Sequence, residues 1–432
     1  MDALELVIEK MVPGGLGLAR WEGRVVFVSG AAPGDRIRGR VTATHRHHLM
    51  VRCETILEAG PDTVDPGCDL AGSCGGCPLR RLSASHQEAV KAGFVFESLE
   101  RIARLDPTPI LHPLIPAQQR EGYRRRATFQ ARWDGARMLL GFFAHGSHDI
   151  VDLTQCPVLD PRLSALIDPL RQLLAALKGR GSITQVEVVA GDDALGVVFC
   201  LMRPCTHADK DLMRRQAGSM GIDQVWMRIG QTAMRPLTRQ GELGYAIDGF
   251  RIAFEPGDFV QSHAAQNRVL VEESLKLAGE GNIAWDLFCG IGNFTLPLTR
   301  RFHTLLGADL ISGSLRRAGE NAKKQGLEHI SFQQVDLFRD EGLARLPWRE
   351  QVDAVLLDPP RNGAEALCRQ LATRGPQRIV HISCDPATFA RDAAILINGG
   401  YTLERVHPVD LFPQTRHVET IARFLRRSSP QP

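Results

Sequence analysis

The chain has almost no excess charge: 52 Lys and Arg stand against 49 Asp and Glu, a formal net charge of +3 over 432 residues. That total excludes a bulk polycation, so only the distribution of charge along the chain can point to a partner. No segment has the apolar length that a membrane span needs. The opening stretch, MDALELVIEKMVPGG, lacks the apolar core of a secretory leader. Ten Cys without such a leader argue against a disulfide framework and for a reducing cytoplasm, with metal or catalytic work for the thiols. Internal repeats and low-complexity segments are missing as well. What remains is 44% hydrophobic and 23% charged, as in ordinary globular proteins, and too long for one core, so two or three domains are expected.

Residues 1–58 read as short strands broken by Gly at even spacing, the pattern of a small β-barrel. From Arg36 to Arg52 there are five Arg and three His and no acid, which favours a phosphate-facing surface over a merely solvated one. Residues 59–80 form a Gly-, Pro-, Asp- and Cys-rich loop without periodicity. Residues 86–105 have helical apolar spacing, and an irregular Pro-rich linker follows. Alternating strands over 116–258 complete a central α+β domain assigned to 59–258. From 259 to 432 strands and helices alternate, as in a doubly wound α/β domain.

Ligands of such sheets sit at the carboxyl ends of the strands. The first strand ends in WDLFCGIGNF, where Gly290 and Gly292 allow close backbone approach. A lone G-x-G also occurs in dinucleotide binders. The next strand ends in Asp309, 23 residues after Asp286, where an acid can accept from ribose hydroxyls. The third ends near Asp336 and the fourth in LLDPPR, at Asp358. Each acid alone could be a helix cap. The set at successive strand ends resembles the S-adenosylmethionine (SAM) methyltransferase fold, with Asp309 at the ribose and Asp336 near the adenine.

The fifth strand, RIVHIS, runs into Cys384. A thiol over that pocket suits a target carbon too weakly nucleophilic to take a methyl group directly. C5 of uracil is such a carbon: thiolate addition at C6 makes C5 enolate-like. A base must later remove the C5 proton. TRHVETIARF offers Glu419, with His417 as the rival base.

Three further thiols, Cys68, Cys74 and Cys77, stand in CDLAGSCGGCPL, and Cys156 lies far downstream in LTQCPVL. Four thiolates fit zinc or a [4Fe–4S] cluster. Zinc favours two tight C-x2-C pairs, and here there is one. A Cys-Pro step follows two of the four, as in ferredoxin-like ligation. Cys53, Cys200, Cys205, Cys289 and Cys368 read as packing residues.

HISCDPATFARD, TRHVET, LLDPPR, DLFCGIGNF and DFVQ together resemble the RNA (uracil-C5)-methyltransferases over nearly the whole chain. The resemblance implies Cys384 as nucleophile and Glu419 as base. It implies Gln261, Phe288, Asn293, Asp309, Asp336 and Asp358 as the SAM-side set. It implies a [4Fe–4S] cluster on Cys68, Cys74, Cys77 and Cys156, and a TRAM-like, OB-like RNA-binding barrel at the N-terminus, read from GLGLAR, GRVVFV and GAAPGD. Barrel, cluster and catalytic domain together imply 23S ribosomal RNA as substrate, a monomer and no membrane. The helix near 80–115 is expected to pack on the catalytic domain. One departure is Ser262-His263 after Gln261, where the family usually has Val-Asn.

Three other readings make different demands. An amine methyltransferase working through Asp358-Pro359-Pro360 would not need Cys384. An iron–sulfur RNA-binding protein would not bind SAM. An electron carrier would need a redox step, which methyl transfer lacks. A second basic stretch, YRRRATFQARW, interleaves Tyr123, Phe129 and Trp133 with Arg124, Arg125, Arg126 and Arg132, and either binds RNA by stacking or is an ordinary strand.

Overall fold

The computed structural model describes residues 3–348 and 351–427. Six strands between Ala3 and Glu58 form one sheet around a small core of Leu4, Leu6, Val26, Val28, Ile37 and Val51. Strict alternation over Arg36–Thr44 turns Ile37 inward and Arg36, Arg38 and Arg40 outward. The acids missing from that stretch come from other strands: Glu5 pairs with Arg36 and Arg38, and Glu54 with Arg40. Exposed pairs of this kind stabilise little, but they neutralise half of the expected basic face. Arg46 and Arg52 have no ion pair among the described residues.

A seven-stranded sheet lies between Arg126 and Arg239, antiparallel except where Leu195–Leu201 runs parallel to Gln224–Ile229. The hairpin Gly244–Ile247/Phe250–Ala253 follows. Its Tyr245, Ile247 and Ile252 share a core with Leu270, Leu305 and Leu356 of the catalytic layer and with Val189 of the central sheet, so it packs between the two.

The third sheet holds strands β1 (Gly281–Leu287), β2 (Phe302–Asp309), β3 (Ile330–Gln334), β4 (Ala354–Leu357), β5 (Arg378–Ser383), β6 (Tyr401–Val409) and β7 (Glu419–Arg426) in the order 3-2-1-4-5-7-6. The first five are parallel and β7 is antiparallel to both neighbours. Strands covered on both faces read as continuous apolar runs, as in AVLL and RIVHIS.

Helix α1 (Ala84–Ser98) starts where Ser83 accepts from the His86 amide. Its Val95, and Leu99 just beyond it, belong to the catalytic core with Leu396 and Val406. The segment after it is less irregular than its prolines suggest: Leu111 and Ile115 bridge to Val406 and Val409 along the edge of β6.

Lys91 of α1 is fully buried and lies 2.5 Å from the equally buried Asp410. Its ammonium also donates to the Phe412 carbonyl, and Arg120 reaches the second Asp410 oxygen at 3.3 Å. These bonds tie the loop after β6 to α1. Removing one partner leaves an uncompensated buried charge. Asp410→Ala is therefore expected to cost about 3 to 5 kcal/mol, read as a lowered urea midpoint, while the exposed pair partner Glu320→Ala should shift it little.

Candidate active site

The carboxyl ends of β1, β2, β4 and β5 open into a cleft of about 810 Å³. Gln261, Phe288, Asp309, Asp358, Cys384 and Glu419 all line it. The β1 turn is shaped for a ligand. Phe288 has φ of +68° and Gly290 of +54°, the left-handed region that a side chain resists. The Gly290 amide donates to one Asp309 oxygen at 3.0 Å and the Ile311 amide to the other at 2.9 Å. The Gln261 side-chain oxygen is buried without a partner, and a buried acceptor needs a donor.

Two residues of the expected SAM-side set lie beside the cleft lining. The Asn293 amide exchanges hydrogen bonds with Asn267 and accepts from the Tyr245 hydroxyl at 2.9 Å. Asp336 accepts from the Phe338 amide and pairs with Arg339. The Ser262-His263 departure has a structural cause. His263 is fully buried, stacks on Tyr123 at 4.6 Å, bonds the Gln119 carbonyl and caps the helix Ala264–Ala278.

Cys384 sits between β5 and helix α2 (Pro386–Asn398). Asp385 caps that helix by accepting from the Ala387 and Thr388 amides, and Pro386 sets the first helical residue. The turn that exposes the thiol is thus written in Cys-Asp-Pro. The surroundings do not lower the thiol's pKa. Burial, then Glu419 and Asp358, push Cys384 up to about 12, while Arg361 opposes them. Glu419 is no surface acid: it is 4% exposed, and burial followed by Asp358 raises it to about 8, with Arg361 again opposing. Burial raises Asp358 to about 7. Arg361 is the cation acting on both Cys384 and Glu419.

His417, the rival base, accepts from Arg361 at 3.1 Å. Burial, then Arg361 and Arg416, press its pKa down to about 3. It is a neutral and very weak base.

Arg361, Thr388, Arg391 and Asp392 were missed in the sequence. Thr388 donates to the Arg361 carbonyl, Arg391 to the Asn362 carbonyl at 2.9 Å, and Asp392 accepts from the Ala364 amide at 2.7 Å. One face of α2 thereby holds the 358–364 loop against the thiol. The i, i+3, i+4 spacing in PATFARD was the available signal.

The four remaining site thiols converge beside the cleft. Cys74, Cys77 and Cys156 line a cavity of about 590 Å³ together with Arg124 and Arg416. Cys74 is placed by a bridge to Ala144, and the Cys156 amide is held by the Ser164 hydroxyl. Burial pushes Cys77 up to about 12, with Cys156 and Cys74 adding to it; burial and then Cys68 raise Cys74, the Gly76 amide opposing.

Of the two readings of YRRRATFQARW, the rings follow the ordinary strand rather than an aromatic stacking surface. Tyr123 and Phe129 are buried, and the Tyr123 hydroxyl donates to the Pro413 carbonyl. Trp133 lies under Arg180 at 4.3 Å. Arg125 and Arg126 pair with Asp192 and Glu187. Strand alternation and the domain contact turn these rings inward. Arg124 is the member of that stretch that lines the cleft.

The sheet order, the acids at strand ends and the cleft define a Rossmann-like methyltransferase domain. A family model described as tRNA (uracil-5-)-methyltransferase matches residues 111–427. The 23S rRNA (uracil(1939)-C(5))-methyltransferase RlmD of Aeromonas hydrophila is 33% identical, over 98% of this chain and 96% of its own. That of Pseudomonas fluorescens is 37% identical, over 97% and 93%. The chain also has the fold of the Pyrococcus abyssi tRNA (uracil-54, C5)-methyltransferase solved with S-adenosyl-L-homocysteine, with a TM-score of 0.74, 22% identity, and coverage of 98% of this chain and 100% of that one. The chain belongs to the RNA uracil-C5 methyltransferase family and is a SAM-dependent enzyme of that kind.

The raised Glu419 makes a prediction independent of turnover. In the unfolded chain it titrates near 4.5, in the folded one near 8, so the folded state holds the extra proton between them. Its contribution to stability is full below 4.5 and is lost as pH rises toward about 8. Glu419→Gln should match the wild-type melting temperature at the acid end of that window and exceed it at the alkaline end. Parallel melting curves across the window would refute the raised value.

Proposed function

We propose that this enzyme methylates C5 of a specific uracil in 23S ribosomal RNA, through a covalent adduct on Cys384, and that a [4Fe–4S] cluster is held by Cys68, Cys74, Cys77 and Cys156. The observation that carries the catalytic reading is the meeting of Cys384 and Glu419, 35 positions apart, in one buried cleft with Asp358 and Arg361. The substrate reading rests on relatives named for 23S rRNA that match nearly end to end. Asp309 would hold the ribose of SAM, Asp336 would lie near its adenine, and Gln261, Phe288, Asn293 and Asp358 complete the set. The orphaned Gln261 oxygen and the left-handed β1 turn fit such a ligand. Bound SAM supplies the methyl group that C5 receives.

The chain does the rest. Cys384 gives up its S–H proton to water in the open cleft, Sγ bonds to C6 of a uracil drawn out of its stack, and the C5–C6 electron pair moves toward O4. Arg361 is placed to favour both the thiolate and that charge. After C5 is methylated, the Glu419 carboxylate takes the C5 proton, the C6–S bond breaks, and the thiolate leaves. His417 remains neutral throughout. With a pKa near 8, Glu419 is a stronger base than an exposed carboxylate once ionised.

For the cluster, the spacing supports iron over zinc: the set has one tight C-x2-C pair where zinc favours two, and a Pro follows Cys77 and Cys156 as in ferredoxin-like ligation. The N-terminal sheet is read as a TRAM-like RNA-binding barrel, with Arg46 and Arg52 facing phosphates.

Two measurements test these readings. On a denaturing gel with SAM and substrate RNA, Glu419→Gln should give a slow protein–RNA band, because methylated C5 keeps its proton and the thiol stays bonded. Cys384→Ala should give no band and no methylation; methylation by that variant would move an amine target ahead. Anaerobically purified protein should be brown with about four irons per chain, and Cys68→Ser, Cys74→Ser, Cys77→Ser or Cys156→Ser should bleach it. Colourless protein with stoichiometric zinc would refute the cluster.

A further inference from the structure

We propose that the N-terminal sheet seals the cluster site from solvent, a role separate from RNA binding; this rests on the cluster reading above. The four-thiol site has two sides. Toward the catalytic cleft it is open, in the cavity of about 590 Å³ that Cys74, Cys77 and Cys156 share with Arg124 and Arg416. Toward the N-terminal sheet the gap shrinks to about 30 Å³, bounded by Met11, Ala31 and Ala32 on one side and Cys74, Cys77 and Leu82 on the other. At about 10–15 Å³ per water, that space admits a water or two and no channel.

Three kinds of contact close this seam. Met11 and Ala32 form an apolar cluster with Leu79, Leu82 and Phe94, all buried. Gly15 sits so near Pro78 that an added Cβ would come within 2.8 Å of its ring. Asp35, fully buried, accepts from the Ala32 and Gly60 amides and pairs with Arg81 of the cysteine loop at 2.5 Å. An RNA-binding module tethered for reach alone has no need to bury a charge and an apolar core against the loop that carries the thiols. A cluster does need it. Dioxygen takes one electron from a reachable cluster and leaves as superoxide, and the oxidised cluster then loses ferrous iron. With the sheet in place, approach from its side is closed, and the open cavity on the other side adjoins the cleft that substrate RNA would cover.

The test uses full-length protein purified without oxygen, then followed by visible absorbance in air-saturated buffer, with iron content and melting temperature recorded first. Met11→Ala and Arg81→Gln should lose colour several-fold faster than wild type. Met11→Leu, which restores the seam, should decay as wild type. So should Arg46→Ala, exposed and outside the seam, and Val26→Ala, which loosens the sheet's own core at a position that does not line the seam. Equal decay in Met11→Ala, Arg81→Gln and wild type, all starting with full iron, overturns the seal and leaves the cluster reading standing. Acceleration by Val26→Ala equal to that of Met11→Ala also overturns it, since general loosening would then suffice. Wild-type protein without iron overturns the cluster reading, and the seal with it.

Discussion

The buried pair of Lys91 and Asp410 is the constraint on which the site's geometry depends. Neither charge reaches water, and each is repaid only by the other and by Arg120 and the Phe412 carbonyl. The pair fixes residues 410–418 against α1. Gln87 adds bonds to the Gln414 amide and side chain, holding Gln414 at a φ of +70°. The same loop receives the Leu79 amide from the cysteine segment and, through Arg416, touches the Gly14 carbonyl of the N-terminal sheet. Glu419 begins β7 one residue beyond the end of this loop. The N-terminal sheet, the cysteine segment and the catalytic sheet are thus all referred to one short segment, and Glu419, the proposed base, stands at its end.

The charge balance of the cleft follows from that placement. Three ionisable groups, Cys384, Glu419 and Asp358, share a buried corner: burial raises all three, Asp358 adds to the rise of Glu419, and both carboxyls add to that of Cys384. Arg361 is held there by the face of α2 rather than by an ion pair of its own. Under the proposed roles, a carboxyl raised to about 8 is a base poised near neutrality, and His417, pressed down to about 3, stays neutral beside it.

Much of this was legible in the sequence, for local reasons. The alternation of strands and helices in the catalytic domain could be read from its apolar runs, and the acids at strand ends from the turns there, whereas the order of strands in the sheet came from the structure. Cys384 could be read from its address, because Asp-Pro after a buried strand dictates a capped helix and leaves the preceding thiol at the rim. The Arg-rich stretches were read less well. Alternation showed which Arg face outward but could not show that Glu5 and Glu54 would meet them, nor that Tyr123 and Phe129 would be buried between domains. The domain edge near the 244–253 hairpin was blurred likewise, since its core joins Val189 of the central sheet to Leu270 and Leu305 of the catalytic layer.

What the sequence determined by itself was the chemistry available: a thiol, a carboxylate and four further cysteines at positions set by short-range turns and caps. What the tertiary structure alone decided was their state. The sign of each pKa shift, the neutrality of His417, the role of Arg361 and the closed seam over the cysteine loop all arise from contacts between segments tens to hundreds of residues apart. Burial and Coulomb interactions depend on distance in space, and sequence spacing does not encode that distance beyond a helical turn or a strand pair.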